Sequence, residues 1–567
     1  MLGLYSVLDM AKISLLAQQA NMAVVSHNIS NVSTPGYSRQ RLEIETSPSL
    51  STDIGQMGPG VRALGVRREY DAFINAQINI EKQILGNWQS QDYSFMRVEG
   101  LFNETSESGL SGAMDEYWNA WQAVADNPSG SAERVNLISL AETMARDFNN
   151  RFNELFTIQS DIDANIKGIV DNINILVDQI AEVNEKISWI ETAGDAANDL
   201  RDERVRLLDE LGGMIGFSSF EDSSGQVTVL MESGTPLVQG NRSWHLDVRP
   251  DATNNGFYDI GWNVSSGTFT DVTDSITRGE LRGLLEMRDT NISGYIESMD
   301  NLAAGIINEV NKLHYYGYGL DGSTENNFFN PLSARTGTSD DNTGDASIDA
   351  GTVYDNTVLT LDDYEIRFTG ATTFEIYNVT DSTQVTTARI NSVVDVDGSF
   401  AYTSGSTIEL EGIRVAIADG ATGPANGDIF TFSTTGGAAG NMTVNSVLLN
   451  DVNKIAASED SAGDDNLNAI AIAVLRDGNY MENNTNSFSN YYNGIIGKIG
   501  VDSSSASRSL LYKQDIVDQL NVRRESVSGV NLDEELANLM IYQQAYTASA
   551  RMISLVQEML DELMNIV

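Results

Sequence analysis

From Leu4 onward the chain sets apolar side chains at alternating intervals of four and three: Leu4, Leu8, Ala11, Leu15, Gln18, Met22, Val25 and Ile29. Only Gln18 breaks the apolar pattern. This is the spacing of a coiled-coil seam, and it predicts a helix up to a turn at Thr34, Pro35 and Gly36, where proline and glycine supply the backbone angles a turn needs. The other end keeps the same rhythm through Leu532, Leu536, Leu539, Gln543, Tyr546, Ala550, Ile553, Gln557, Leu560, Met564 and Val567. Asn531 followed by Glu534 reads as a capping box, and Asp533, Glu534 and Glu535 sit where the helix dipole favours negative charge. Each stripe could pack on the molecule's own core, or the two ends could pair with each other and with copies from neighbouring subunits. A lone helix or a two-helix pair of this length buries too little apolar surface to be more than marginal. Further partners are therefore expected.

A third stripe runs through Ile158, Ile162, Ile166, Ile169, Ile173, Leu176, Ile180, Val183, Ile187 and Ile190. It predicts a rod roughly 50 Å long. Asp199 to Leu211 reads as a returning helix ended by Gly212 and Gly213, with Arg201, Asp202, Glu203 and Arg204 as exposed ion pairs on its face. Residues 217–275 alternate in short runs typical of a small antiparallel β region. A helix is expected from about Arg278 to His314, with Ile292, Tyr295, Met299, Leu302, Ile306 and Val310 on one side. From Gly322 to about Gly440, strand-like runs such as YEIRF and TFEIY predict an all-β insert with its own core. Its acidic loops, Asp340 to Asp349 and Asp395 to Asp397, lack the spacing of a calcium loop and read as solvated turns. Helical patterning resumes near Met442. The expected fold is multidomain α+β: an elongated helical coiled-coil rod formed by both termini and the central helices, with inserted all-β domains. The expected domains are 1–45 with 529–567, a terminal axial coiled coil; 46–215 with 276–322 and 441–528, a helical rod; 216–275, a small β subdomain; and 323–440, an outer all-β domain.

Composition removes most chemistry. Eighty acidic against 34 basic side chains leave a net charge of −46, which repels phosphate backbones and anionic lipid. No cysteine is present, and the three histidines, His27, His245 and His314, stand far apart in sequence. No catalytic, cofactor-binding or metal residue is assigned, and His314 reads as structural. Gly494, Gly497 and Lys498 lack the gap of a nucleotide loop. The first residues, MLGLYSVLDMAKISLL, have no basic leader, so export, if it occurs, needs a route other than a cleaved signal.

Residues 28–40, NISNVSTPGYSRQ, and 529–553, GVNLDEELANLMIYQQAYTASARMI, closely resemble the terminal segments of the bacterial flagellar axial protein family of rod, hook and hook-associated proteins. The long central coil with GELRGLLEMRD (279–289), VNKLHYYGYGLDG (310–322) and PANGDIF (424–430) is similar to the hook-associated members that join hook to filament. His27 departs from the family, which often has asparagine or a small residue there. The resemblance implies a structural component of the flagellum, extracellular, at the hook-filament junction, that supports filament assembly. It implies export by the type III apparatus without a cleaved signal, and a cytoplasmic export chaperone on the C-terminal helix. Its assembly partners would be sister copies in a ring, hook protein on one side and the next hook-associated protein on the other. The assembly seam would use Leu4, Leu8, Leu15, Met22 and Ile29 with Leu532, Leu536, Leu539, Tyr546, Ile553 and Leu560. Asn28, Asn31, Pro35, Gly36 and Tyr37 would fix the chain's exit from the first helix. The alternatives are another axial protein, the hook subunit or flagellin, and a secreted adhesin that binds through the β insert.

Overall fold

A computed structural model describes residues 2–566 apart from 49, 53–54, 59, 104–108, 252–253, 264–268, 340 and 462–464. The expected seam position Val567 and the first residue of the acidic loop, Asp340, lie outside the described residues. The helices are α1 (Leu2–Ser30), α2 (Ala72–Phe102), α3 (Leu110–Asp126), α4 (Ser131–Thr192), α5 (Asn198–Met214), α6 (Glu280–Glu286), α7 (Ser293–Tyr316), α8 (Ala438–Asn441), α9 (Ser446–Asn450), α10 (Leu467–Val474), α11 (Phe488–Ser528) and α12 (Leu532–Ile566). With the antiparallel sheets described below they form a multidomain α+β molecule.

The long coil is longer than its isoleucine stripe predicts. Helix α4 has 62 residues, about 93 Å of rise, because Leu137, Ala141, Met144, Phe148 and Leu155 extend the buried face toward its start. Of the expected stripe, Ile169 is partly buried and Ile190 lies on the surface; the rest is buried. Helix α2 packs on it, with Arg97 reaching Asp161 at 2.5 Å, and α11 runs antiparallel to α2, tied by Lys513 to Glu81 at 2.9 Å and Ser503 to Glu99 at 2.8 Å.

Gly212 and Gly213 do not stop α5, which continues to Met214. Their place is at a close crossing that other glycines allow: a Cβ on Gly86 of α2 would lie 2.0 Å from the Gly213 carbonyl oxygen, and one on Gly283 of α6 would lie 2.4 Å from the Asn87 carbonyl oxygen, while one on Gly212 would meet the Asn79 side chain at 2.9 Å. The expected helix over 278–314 is interrupted by a π turn at Met287–Ile292. That turn buries Arg288, which bonds Asp163 of α4 and the Tyr258 carbonyl of the small β region. His314, expected at a polar helix end, is fully buried. Its Nδ1 donates to the Asn326 carbonyl and its Nε2 accepts from the Ala456 amide, and burial pushes it down to about 4, so it is neutral.

The region 217–271 forms two antiparallel sheets, of four and three strands. The insert forms two antiparallel six-stranded sheets from strands between Arg335 and Ser433, around buried Phe368, Phe374, Phe400 and Phe430. Its Asp345 and Asp428 spend their carboxylates on backbone amides of adjacent turns. One element went unforeseen: Gln40–Thr46 pairs with Val61–Arg68 in a mostly exposed antiparallel ribbon. The domain boundary expected at 45/46 therefore falls inside a strand.

Candidate functional site

The terminal helices meet as an antiparallel pair. Ser14 and Ser549 hydroxyls lie 3.1 Å apart near its middle, and Asn28 reaches Glu535 at one end. The buried positions are Ala11, Ala17, Asn21, Val25 and Asn28 on α1 and Glu535, Ser549 and Val556 on α12. These are mostly small or polar, so the backbones approach closely. The expected seam is turned roughly 60–80° from this face. Leu4, Leu8, Leu15, Met22 and Ile29 are half-buried along one flank, as are Leu539, Tyr546, Ile553 and Leu560, whereas Leu532 and Leu536 are exposed. A further apolar stripe on α12 lies on the other flank, open to solvent: Ile541, Met552, Leu555, Met559 and Leu563, between 41 and 59 % exposed. A helix apolar on this much of its circumference is built for more than one neighbour. Contiguous exposed apolar surface of this kind marks an interaction site.

Between this coil and the rod lies a joint of buried polar residues. Asn31 to Gly36 make the turn, with Gly36 at φ +82°, and the chain returns at Tyr37 to Gln40 between α1, α5 and the start of α12. The Asn28 side chain pairs with the Gln40 backbone in both directions, at 2.9 and 3.0 Å. Its amide also donates to Glu535 at 3.0 Å, and its oxygen accepts the Tyr37 hydroxyl at 2.8 Å. Burial, then the charges of Asp199, Asp202 and Glu535, push the Tyr37 phenol up and keep it a neutral donor.

Arg39 ties the entering and leaving chains together. Its amide donates to the Ser528 carbonyl at 2.8 Å; its guanidinium reaches Glu535 at 2.5 Å and Glu534 at 3.0 Å. Burial opposes that charge, but the hydrogen bonds it donates to Glu534 and Glu535 outweigh it and raise Arg39. The capping box is consequently half made. Asn531 Oδ1 accepts from the amides of Asp533 and Glu534, while the Glu534 side chain turns to Arg39.

Helix α5 closes the joint from the other side. Asp202 accepts from the Ser38 amide and hydroxyl, both at 2.8 Å, and from Arg68 at 2.6 Å. Asp199 accepts from Gln40 at 2.7 Å. Asp202 and Arg204 are thus buried connectors, not the exposed helix-face charges expected. Arg204 bonds Asn184 of α4, the Gly225 carbonyl and Glu221. Glu203 does stand in a surface ion pair, with Arg206, a residue outside the expected cluster, as its partner. Of the expected turn residues, Asn28, Asn31 and Tyr37 carry hydrogen bonds, and Pro35 and Gly36 set the bend. Beside them opens a cleft of about 820 Å³ lined by residues 32–39 and 524–531. Among the described residues, no group of three or more histidines or carboxylates is placed to hold a metal ion. None of the described helices is long and apolar enough to cross a membrane.

Three family models match the chain: the flagellar hook-associated protein FlgK helical domain over residues 95–329, the flagella basal body rod protein over 14–37, and the flagellar basal body rod FlgEFG protein C-terminal over 524–566. Flagellar hook-associated protein 1 of Escherichia coli is 29 % identical, covering 99 % of this chain and 100 % of its own. The same protein of Salmonella typhimurium is 28 % identical with the same coverage, and that of Bacillus subtilis is 26 % identical over 98 % of this chain and 97 % of its own. From end to end the chain is similar to flagellar hook-associated protein 1. The fold agrees: the flagellar hook junction protein FlgK from Burkholderia pseudomallei superposes with a TM-score of 0.67, at 18 % identity, over 80 % of this chain and all of that one. Two of the models fall on α1 with its turn and on α12 with its approach, the segments that build the joint and the exposed stripe. Sequence reading placed Asn28 and Tyr37 there through the resemblance and missed Arg39, Gln40, Arg68, Asp202 and Glu535. The available signal was the charge pattern of SRQ at 38–40 against DEE at 533–535.

Proposed function

We propose that this chain is a structural subunit of the bacterial flagellum that joins hook to filament and supports filament assembly. The full-length similarity to flagellar hook-associated protein 1 supports that reading, and one observation carries the mechanism. The rod and insert close their own cores, while the terminal pair keeps large apolar side chains on its flank and outward face. In the assembled ring, α1 and α12 of sister copies cover that surface, with hook protein on one side and the next hook-associated protein on the other. The joint at Asn28, Arg39 and Asp202 transmits load from this inner coil to the rod. Before assembly the stripe of α12 is the surface an export chaperone would cover, and export through the type III apparatus needs no cleaved signal. The seam residues serve packing and have no chemistry attached.

Cells lacking this chain should carry hooks without filaments and shed flagellin into the medium. Leu555→Asp should reproduce that phenotype while the purified chain melts as the unaltered one does, because Leu555 is 57 % exposed in the lone molecule and only assembly would bury the added charge. Normal filaments on Leu555→Asp cells would overturn the reading.

A further inference from the structure

His27 stands in the joint at a position where its protonation changes the bonding, and the network fixes its tautomer. The Asn28 amide faces Glu535 and the Gln40 carbonyl, so its oxygen is the atom that takes the Gln40 amide and the Tyr37 hydroxyl proton. The single Tyr37 proton is thereby spent. At the 3.0 Å contact between Tyr37 and His27 Nδ1, the histidine must be the donor. A neutral His27 then carries its lone pair on Nε2, which points at Asp199 Oδ2 from 3.7 Å. Two acceptors face each other there.

Among the described residues, the surroundings leave Asp199 as the partner to gain. The small cleft of about 190 Å³ around the imidazole is lined by Tyr37 and by Asp199, Asp202 and Glu203 of α5. Asp202 is engaged by Ser38 and Arg68, and Glu203 by Arg206. Asp199 uses Oδ1 for Gln40, which leaves Oδ2 for His27. We propose that His27 makes the joint between terminal coil and rod acid-responsive: the imidazolium donates from both nitrogens, to Tyr37 and Asp199, and adds a direct link between the end of α1 and the start of α5. Histidine changes charge in the range pH 5–8. The imidazole and its carboxylate are both partly exposed, so the link is worth no more than a surface ion pair, about a two- to fivefold shift in joint opening.

The test uses the full chain at pH 8 and pH 6. Nitrogen-15 spectra should show His27 protonated on Nδ1 at pH 8; His314, buried and also Nδ1-protonated, serves as the unchanging reference across this range. Amide exchange, corrected for its intrinsic pH dependence, should slow about two- to fivefold at 31–40 on acidification and stay unchanged within the β insert. His27→Asn and Asp199→Asn, each checked for native protection of the insert, should abolish the response. An Nε2-protonated His27 at pH 8, exchange at the joint that ignores pH, or a response that survives in either variant would each overturn the proposal.

Discussion

Replacing Arg39 by methionine removes a cation 9 % exposed and strands the Glu535 carboxylate, 2 % exposed, inside the joint. Taking one partner from a buried ion pair costs about 3–5 kcal/mol. Glu535 keeps the Asn28 amide and sits in the first turn of α12, where the dipole recovers roughly 0.3–1 kcal/mol, so about 2–4 kcal/mol remains. The loss should be local, because the Arg39 guanidinium bonds Glu534 and Glu535 at the start of α12. Amide exchange on the full chain should therefore quicken about 30- to 1000-fold at 31–40 and 528–535, with the β insert unchanged. Glu534→Gln removes the partner that is 52 % exposed and should cost no more than about 1 kcal/mol. The double change Arg39→Met, Glu535→Leu should recover most of the loss, since no charge is left buried. Equal effects of Arg39→Met and Glu534→Gln, or a double variant as unstable as the two single changes combined, would refute the reasoning.

Gly86→Ala should destabilise the rod by about 1–3 kcal/mol or more, since its methyl would occupy the place of the Gly213 carbonyl; thermal melts check this, and a neutral result would mean that α2 and α5 can separate freely. Burial, against the opposing amides of Gly437 and Ala439, pushes Asp300 up to about 6. Its charged form is penalised in the folded molecule, so the fold gains stability as pH falls through this value, by about 1 kcal/mol between pH 7 and pH 5. Asp300→Asn should flatten that part of the pH dependence in thermal melts, and an unchanged slope would remove Asp300 as its source.

The pattern of apolar residues located the terminal helices, the long coil and the insert because each is a long segment with one dominant period. It misplaced the contact face of the terminal pair. Counting large apolar residues selects Leu8, Leu15 and Leu536, whereas the intramolecular contact uses Ala11 and Val25 of that stripe together with Ser14, Asn21 and Ser549 outside it, whose mostly small size permits close approach. Asp202 and Arg204 looked like surface charges because a helix sequence does not reveal that α5 is covered on two sides, by α4 and by the returning chain at Ser38. Gly212 and Gly213 read as a helix stop because their use depends on Gly86, more than a hundred residues earlier. The ribbon at 40–68 stayed hidden for the same kind of reason: most of its side chains are exposed, so alternation gives little signal.

Because the chain contains no cysteine, a single thiol can report directly on the outward stripe of α12. With Met559→Cys, 47 % exposed at that position, a maleimide probe should label the free chain rapidly and label intact hook-filament junctions isolated from cells slowly or not at all. Equal labelling of free and assembled protein would contradict the claim that sister copies complete the terminal coil.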